Sequence, residues 1–485
     1  MTTKSARCCL SDARGAPNNY LRIISMSFSA VDDAPVRGFH RKLTAACSGG
    51  PLLDGYLLAI VGIALPGITG HMHLDTGVEA TLGVASLIGM FFGGLICGPL
   101  TDRIGRKPMY TLDLLVLVVA SALSVFASEA WQLILLRFII GAAIAADYPI
   151  ATALLSEWLP RKRRAGMFSA VIIIWYIGAS LAYLVGYLIN EFMGSDGWRW
   201  MLGSGAILAL IVFLLRIGTP ESPRWLVGAG RVDEARRVIE NSLHVRVTAA
   251  ELTGSLPRTV ESRGNVLDLF RGIYLRRMLF IIIFFTCAII PLFALLTFGP
   301  QLLGSLGMGS GNLTNLGTAI INLVFALGCV PAMKLLETIG RRKTIIWSFG
   351  LMVLPLIALG LWTNAPGPFI VGFFCLYALF SGGPSILEWA YPNELFPTRI
   401  RAAAVGVAVA LTRFGAAVGT FLVPVSLVTL GTSATMFIGA AITFIGFLAC
   451  IAWAEETRSR SLEETGAIEG VPPTPTTASK VGSAP

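Results

Sequence analysis

The chain has 485 residues, of which 55% are hydrophobic and only 13% charged, with a net charge of +9. Ordinary soluble domains carry roughly 25% charged residues, so this composition excludes an ordinary soluble fold and puts the chain in a lipid bilayer. The basic residues lie in short clusters between apolar runs, which argues against a nucleic-acid partner and fits positive charge held on the cytoplasmic side of a membrane.

Residues 1–40 are polar and lack an apolar core, so they predict a cytoplasmic tail with no cleavable signal peptide, and Met26 is a candidate start. A spanning helix needs about 20 mostly apolar residues. Twelve such runs follow, near 47–69, 78–100, 109–128, 132–156, 167–190 and 199–217, and then near 276–299, 313–333, 343–362, 368–391, 403–425 and 433–453. The segment 218–275 links the two sets. Within it, Val232, Ala235, Val238, Ile239 and Leu243 stand at helical spacing and predict a surface helix. The tail after Glu464 reads as disordered. The expected units are the tail 1–40, a first bundle 41–217, a central cytoplasmic loop 218–275, a second bundle 276–454 and a tail 455–485.

Charge orients the spans. Arg103, Arg106, Lys107, Arg161 to Arg164, Arg341 to Lys343, Arg399 and Arg401 fall on one set of loops, while the other set is nearly free of Lys and Arg. The basic set is expected to be cytoplasmic, with both termini inside, in a cell or inner membrane. Three pairs of landmarks repeat about half a chain apart. Glu157 to Arg164 matches Glu394 to Arg401, Asp102 to Arg106 matches Glu337 to Arg341, and Pro220-Glu221-Ser222 matches Glu455-Glu456-Thr457. A duplicated unit in a membrane chain implies two bundles rocking about a central site. The expected fold is an all-α membrane protein with twelve transmembrane helices in two pseudo-symmetric six-helix bundles.

Ionisable groups at membrane depth are expensive and usually face a cavity or a partner. Asp54 lies about two turns into the first span, and either reaches the headgroups or exchanges a proton. Desolvation favours the protonated form of such a carboxylate. Arg137 and Asp147 share the fourth span, roughly 80° and about 15 Å apart, so they cannot pair with each other. Arg137 is either a packing partner of the first span or part of proton coupling. Asp147 is favoured for proton coupling, since nothing on its own helix neutralises it. Glu388 and Arg413 give the second half one charge of each sign. They either neutralise one another, or Arg413 holds an anionic group of the substrate. Asp113 reads as an interfacial residue. Tyr56, Trp175, Tyr176 and Trp389 are candidate cavity-lining aromatics, with Asn322 a candidate hydrogen-bonder to substrate. A second group, Asp102, Arg103, Arg106, Glu157, Arg164 and Glu221 with Glu337, Arg341, Glu394, Arg401 and Glu456, pairs acids with bases in both halves. It reads as a cytoplasmic gate network or as static topology anchors.

The eight cysteines include no metal spacing, and no nucleotide motif is present, so no cofactor, metal site, disulfide or enzymatic activity is expected. The expected partners are the lipid bilayer, a small-molecule substrate and protons, with the protein itself a monomer.

These landmarks resemble the major facilitator superfamily across roughly 45–465. The loop Gly98-Pro99-Leu100-Thr101-Asp102-Arg103-Ile104-Gly105-Arg106-Lys107 resembles its signature between the second and third spans. Pro220-Glu221-Ser222-Pro223-Arg224-Trp225-Leu226 is similar to the sugar-porter motif, and Glu456-Thr457-Arg458 to that branch's C-terminal motif. Ile172 stands where sugar porters carry a Gln, and the run Ile290 to Leu296 lacks their Gln pair. Ala146-Asp147-Tyr148-Pro149-Ile150 is similar to metabolite:proton symporters. The resemblance implies proton-coupled symport of an organic acid, sugar acid or sugar by alternating access. It implies a coupling role for Arg137 and a cavity-facing Trp389. An uncoupled carrier, whose uptake ignores a protonophore, and a non-transporting sensor on the same scaffold stay open.

Overall fold

The computed structural model describes residues 38–104, 106–158, 164–245, 247–248, 252, 269, 271–308, 312–396 and 398–458. The expected tail at 1–37 and most of 246–270 lie outside these residues, as does everything after Arg458. Among the described residues, eleven helices are long and apolar enough to cross a membrane, and a shorter apolar helix at Pro108–Ser124 makes the twelfth. No strand is formed among them.

The first six spans are α1 (Gly38–Met72), α2 (Thr76–Ile104), α3 (Arg106–Ser124), α4 (Ala130–Trp158), α5 (Arg164–Met193) and α6 (Trp198–Arg216). Two short helices follow, α7 (Pro223–Gly228) and α8 (Val232–Leu243). The second six are α9 (Gly272–Leu303), α10 (Asn312–Thr338), α11 (Arg341–Leu361), the pair α12 (Gly367–Phe380) and α13 (Gly382–Leu395), α14 (Thr398–Thr429) and α15 (Gly431–Trp453). The helix expected in the central segment is α8, which buries Ala235, Ile239 and Leu243. The Ser222 side chain caps α7 by accepting the Trp225 N–H at 3.0 Å.

Large apolar side chains such as Ile207 (66% exposed), Trp347 and Leu354 stand on the outside. Such a surface suits lipid, not water. Lipid offers no hydrophobic force between helices, so the bundles rest on close packing of small residues. Gly55 of α1 faces the Trp175 carbonyl of α5, and Gly178 of α5 faces the Leu52 carbonyl of α1.

Prolines break two spans of the second half. The tenth run, expected as one helix, is interrupted at Ser381 between α12 and α13. Pro384 then falls in the first turn of α13, where a proline is tolerated. Helix α9 bends at Phe298, with φ −114° and ψ 17°, just before Gly299-Pro300. Pro300 has no N–H to give the Leu296 carbonyl four residues earlier. The Tyr183 hydroxyl of α5 donates to that carbonyl instead, at 2.5 Å. A kink in one bundle is thus satisfied by a side chain of the other.

More bonds join the bundles on the side away from the basic loops. Ser180 donates to the Ala319 carbonyl at 2.9 Å. Gln301 donates to Glu79 at 2.5 Å, and Asn312 to Glu191 at 2.8 Å. At mid-depth, Tyr176 and Ser385 share a hydroxyl–hydroxyl bond of 2.8 Å.

Candidate functional site

Four charged side chains from four helices of the first bundle meet in its interior. Asp54 (2% exposed) comes from α1, Asp113 (3%) from α3, Asp147 (0%) from α4 and Arg216 (6%) from the last residue of α6. Arg216 Nη1 lies 2.5 Å from Asp147 Oδ1 and 3.8 Å from Asp113 Oδ2. Its guanidinium covers the Tyr110 ring at 3.6 Å from the centroid, a cation–π contact. Its Nε donates to the Ala46 carbonyl at 3.4 Å. The pair with Asp147 is an ionic contact without hydrogen-bond alignment, since neither Asp147 oxygen has a hydrogen-bond partner. Gly50 makes room for it. A Cβ at that position would overlap both the Asp147 carboxylate and the Arg216 guanidinium.

Asp54 completes the group without a contact of its own. Its Oδ1 is buried with no hydrogen-bond partner. The charges acting on it are those of Asp147, Arg216 and Asp113, and of Arg413 across the bundle interface. Two carboxylates therefore lie against one guanidinium, at 2.5 and 3.8 Å, and the third, Asp54, is buried in the same bundle. The expectation that Asp113 is interfacial is corrected here. It is buried because α3 enters the bundle within two turns, and Leu114 N–H donates to its Oδ1 at 2.6 Å.

Arg137 (1% exposed) stands apart from this group. Its Nη1 donates to the Leu57 carbonyl of α1 at 2.9 Å, one turn from Asp54. No carboxylate lies within ion-pair distance of it among the described residues. Of the two acids expected to work with Arg137, neither pairs with it. Asp147 pairs with Arg216, a residue that was not among the expected site residues.

In the second bundle, Glu388 of α13 is buried, and Arg413 of α14 is half-buried, with its guanidinium 5.3 Å from the Phe293 ring centre. Arg413 acts on Glu388 through space, but the described side chains form no ion pair between them.

The aromatic candidates divide. Tyr176 stacks on Phe325 of α10 at 5.2 Å and bonds Ser385, so it bridges the bundles. Trp175 meets Phe293 edge-on at 6.2 Å across the same interface. Trp389 lies against Phe285, and Asn322 donates to the Thr318 carbonyl of its own helix at 2.9 Å. Tyr56, expected to line the cavity, instead ends on Ser204 of α6 at 2.6 Å, inside the first bundle. An apolar cavity of about 260 Å³, bounded by Pro291, Leu356, Phe374 and Met436, lies within the second bundle and touches none of these charges.

At the basic end, the second repeat forms a closed network. Arg341 grips Glu394 with two bonds, of 3.1 and 3.3 Å. Thr457 also donates to Glu394. Arg277 grips Glu455 at 2.7 and 2.9 Å, and Tyr391 donates to the Glu455 carbonyl. Glu456 accepts the N–H groups of Arg341 at 2.9 Å and Arg342 at 3.1 Å, which caps α11. Burial works against the ionised form of Glu456, but the N–H groups of Arg458, Arg341 and Arg342 outweigh it and hold the carboxyl below the usual carboxylate range. This network lies within one bundle. Glu337, expected in it, is corrected to an exposed residue with no ion pair among the described residues, because it projects from the last turn of α10. Arg277 and Glu455 take part without having been expected. Glu221 accepts the Ser222 N–H at 2.9 Å. The side chains of Asp102, Arg103, Arg106, Glu157, Arg164 and Arg401 lie outside the described ones.

Residues 42–468 match the protein family described as "Sugar (and other) transporter". YaaU of Escherichia coli strain K12, named for metabolite transport, is 42% identical over 90% of this chain and 96% of its own length. YgcS of the same strain, named as an inner membrane metabolite transport protein, is 33% identical over 91% of this chain and 97% of its own. The fold is that of the xylose transporter XylE from E. coli in a partially occluded inward open conformation. The TM-score is 0.75 at 20% identity, over 88% of this chain and 100% of that one. Another structure of XylE names it a proton:xylose symporter.

Proposed function

Because this chain belongs to the sugar (and other) transporter family of the major facilitator superfamily, we propose that it imports a small polar metabolite together with protons. The observation that carries this reading is the buried charge cluster of the first bundle, with Arg216 2.5 Å from Asp147 and 3.8 Å from Asp113, and with Asp54 Oδ1 buried and without a hydrogen-bond partner. Buried carboxylates of this kind are where a membrane transporter can hold a proton. In this reading Asp54 and Asp147 share the proton role.

The substrate sits between the bundles near mid-depth, where Tyr176, Trp175 and Phe325 gather. Arg413, on a cation–π contact with Phe293, carries a guanidinium fork of the kind that holds an anionic group. A sugar acid or another small organic acid is the favoured class. The basic end is cytoplasmic. The bonds from Tyr183, Gln301 and Asn312 then close the external side, and the second-repeat network braces its bundle on the internal side.

The test is uptake into proteoliposomes across a panel of sugars, sugar acids and small carboxylates, with an imposed proton gradient. The expected result is accumulation that a protonophore abolishes. Uptake indifferent to the protonophore would make the protein an uncoupled carrier.

A further inference from the structure

We propose that Asp54, Asp113 and Asp147 form one proton-holding site around Arg216, and that Arg216, not Arg137, is the cation that sets its charge. The argument starts from charge. Three carboxylates and one guanidinium from four helices share a buried space, with Arg216 2.5 Å from Asp147 and 3.8 Å from Asp113. Fully ionised, the group has two negative charges in excess. An uncompensated buried ion costs several kcal/mol. A bound proton removes that cost for each excess carboxylate.

Among the described side chains, the neighbours do not supply the missing positive charge. From α1 and α3 the remaining titratable groups facing the pair are Cys47 and Tyr110, neither a cation. From the second bundle, Arg413 acts on Asp54. Asp54 Oδ1 is buried and has no hydrogen-bond partner, and no cation lies within ion-pair distance of Asp54 among the described residues. Gly50 is a second sign that the fold is built around the group, since any side chain there would displace both members of the closest pair.

The placement also gives the site a way to act. Arg216 is fixed within the first bundle by Asp147, the Tyr110 ring and the Ala46 carbonyl. Arg413 belongs to the other bundle. When the bundles rock, Arg413 moves relative to Asp54 while Arg216 does not. Arg216 therefore keeps one carboxylate ionised throughout, and the position of Arg413 decides whether the others hold protons. The link to transport rests on the symport reading above. The presence of bound protons does not.

The experiment is infrared spectroscopy of the full chain in lipid nanodiscs, following the carbonyl stretch of protonated carboxyl groups through a pH titration. The variant Glu388→Gln removes the other buried carboxyl and serves as the background. On it, a protonated, slowly exchanging carboxyl band is expected at neutral pH. Asp54→Asn or Asp113→Asn should delete the contribution of one carboxyl. Arg216→Gln should add one, and Arg216→Lys, which keeps the charge and covers the case in which the glutamine variant does not fold, should add none. Absence of the band at neutral pH, or a band unmoved by both Asn variants, would overturn the proposal. A band that behaves as stated in a protein whose uptake ignores a protonophore would leave the proton site standing and remove the symport reading. Proton-driven uptake without the band would do the reverse.

Discussion

At the residue scale, the Asp147–Arg216 pair dominates the first bundle. Removing one partner of a buried ion pair strands the other and typically costs about 3–5 kcal/mol. Arg216→Met should therefore lower the thermal unfolding temperature sharply, while Arg216→Met with Asp147→Leu should recover much of the loss. Unfolding of the four proteins of this cycle in the same detergent checks it, and additive effects would mean that the two residues are not coupled. Asp54 and Asp147 were legible in the sequence because they sit deep in apolar runs, where a charge stands out. Arg216 and Asp113 were not. Each lies within about two turns of a span end, where a charged residue reads as a headgroup anchor. Only the inward turn of α3 and α6 puts them beside Asp147.

At the element scale, the proline kink of α9 helps to join the halves. Pro300 leaves the Leu296 carbonyl without a helical donor, and Tyr183 supplies one from the opposite bundle. Tyr183→Phe keeps the ring and removes the donor. Leaving that carbonyl unsatisfied should cost about 1–3 kcal/mol in the state described here. It should not affect a state in which the bundles have parted on that side. Accessibility of cysteines placed along the external half of α9 should rise in the variant, and labelling rates equal to those of the parent would contradict this role. The twelve spans were readable from apolar length, since lipid thickness fixes that length. The break of the tenth span between α12 and α13 was not, because hydropathy does not register a Gly-Gly-Pro turn. The cap of α11 was half legible. The repeat pointed to Glu456, but no local rule connects a carboxylate after the last span to the N-terminus of a helix over a hundred residues earlier.

At the scale of the whole molecule, the duplicated landmarks predicted two bundles, and the fold has them. Their asymmetry came only from the structure. Among the described side chains, the first bundle buries Asp54, Asp113 and Asp147 with Arg216, whereas the second ties Arg341, Glu394, Arg277 and Glu455 into a network at the basic end. A rocking transporter has use for both. In the proposed function, one bundle carries the proton site and the other moves against it. The sequence could not separate these roles, because the matched motifs look alike in both halves and differ in what packs beside them. The account stands or falls on whether substrate and proton enter together. In proteoliposomes loaded with a pH-sensitive dye and held without a gradient, adding the transported metabolite should acidify the lumen, and Asp147→Asn should abolish that acidification. Entry of the metabolite with no movement of protons would contradict it.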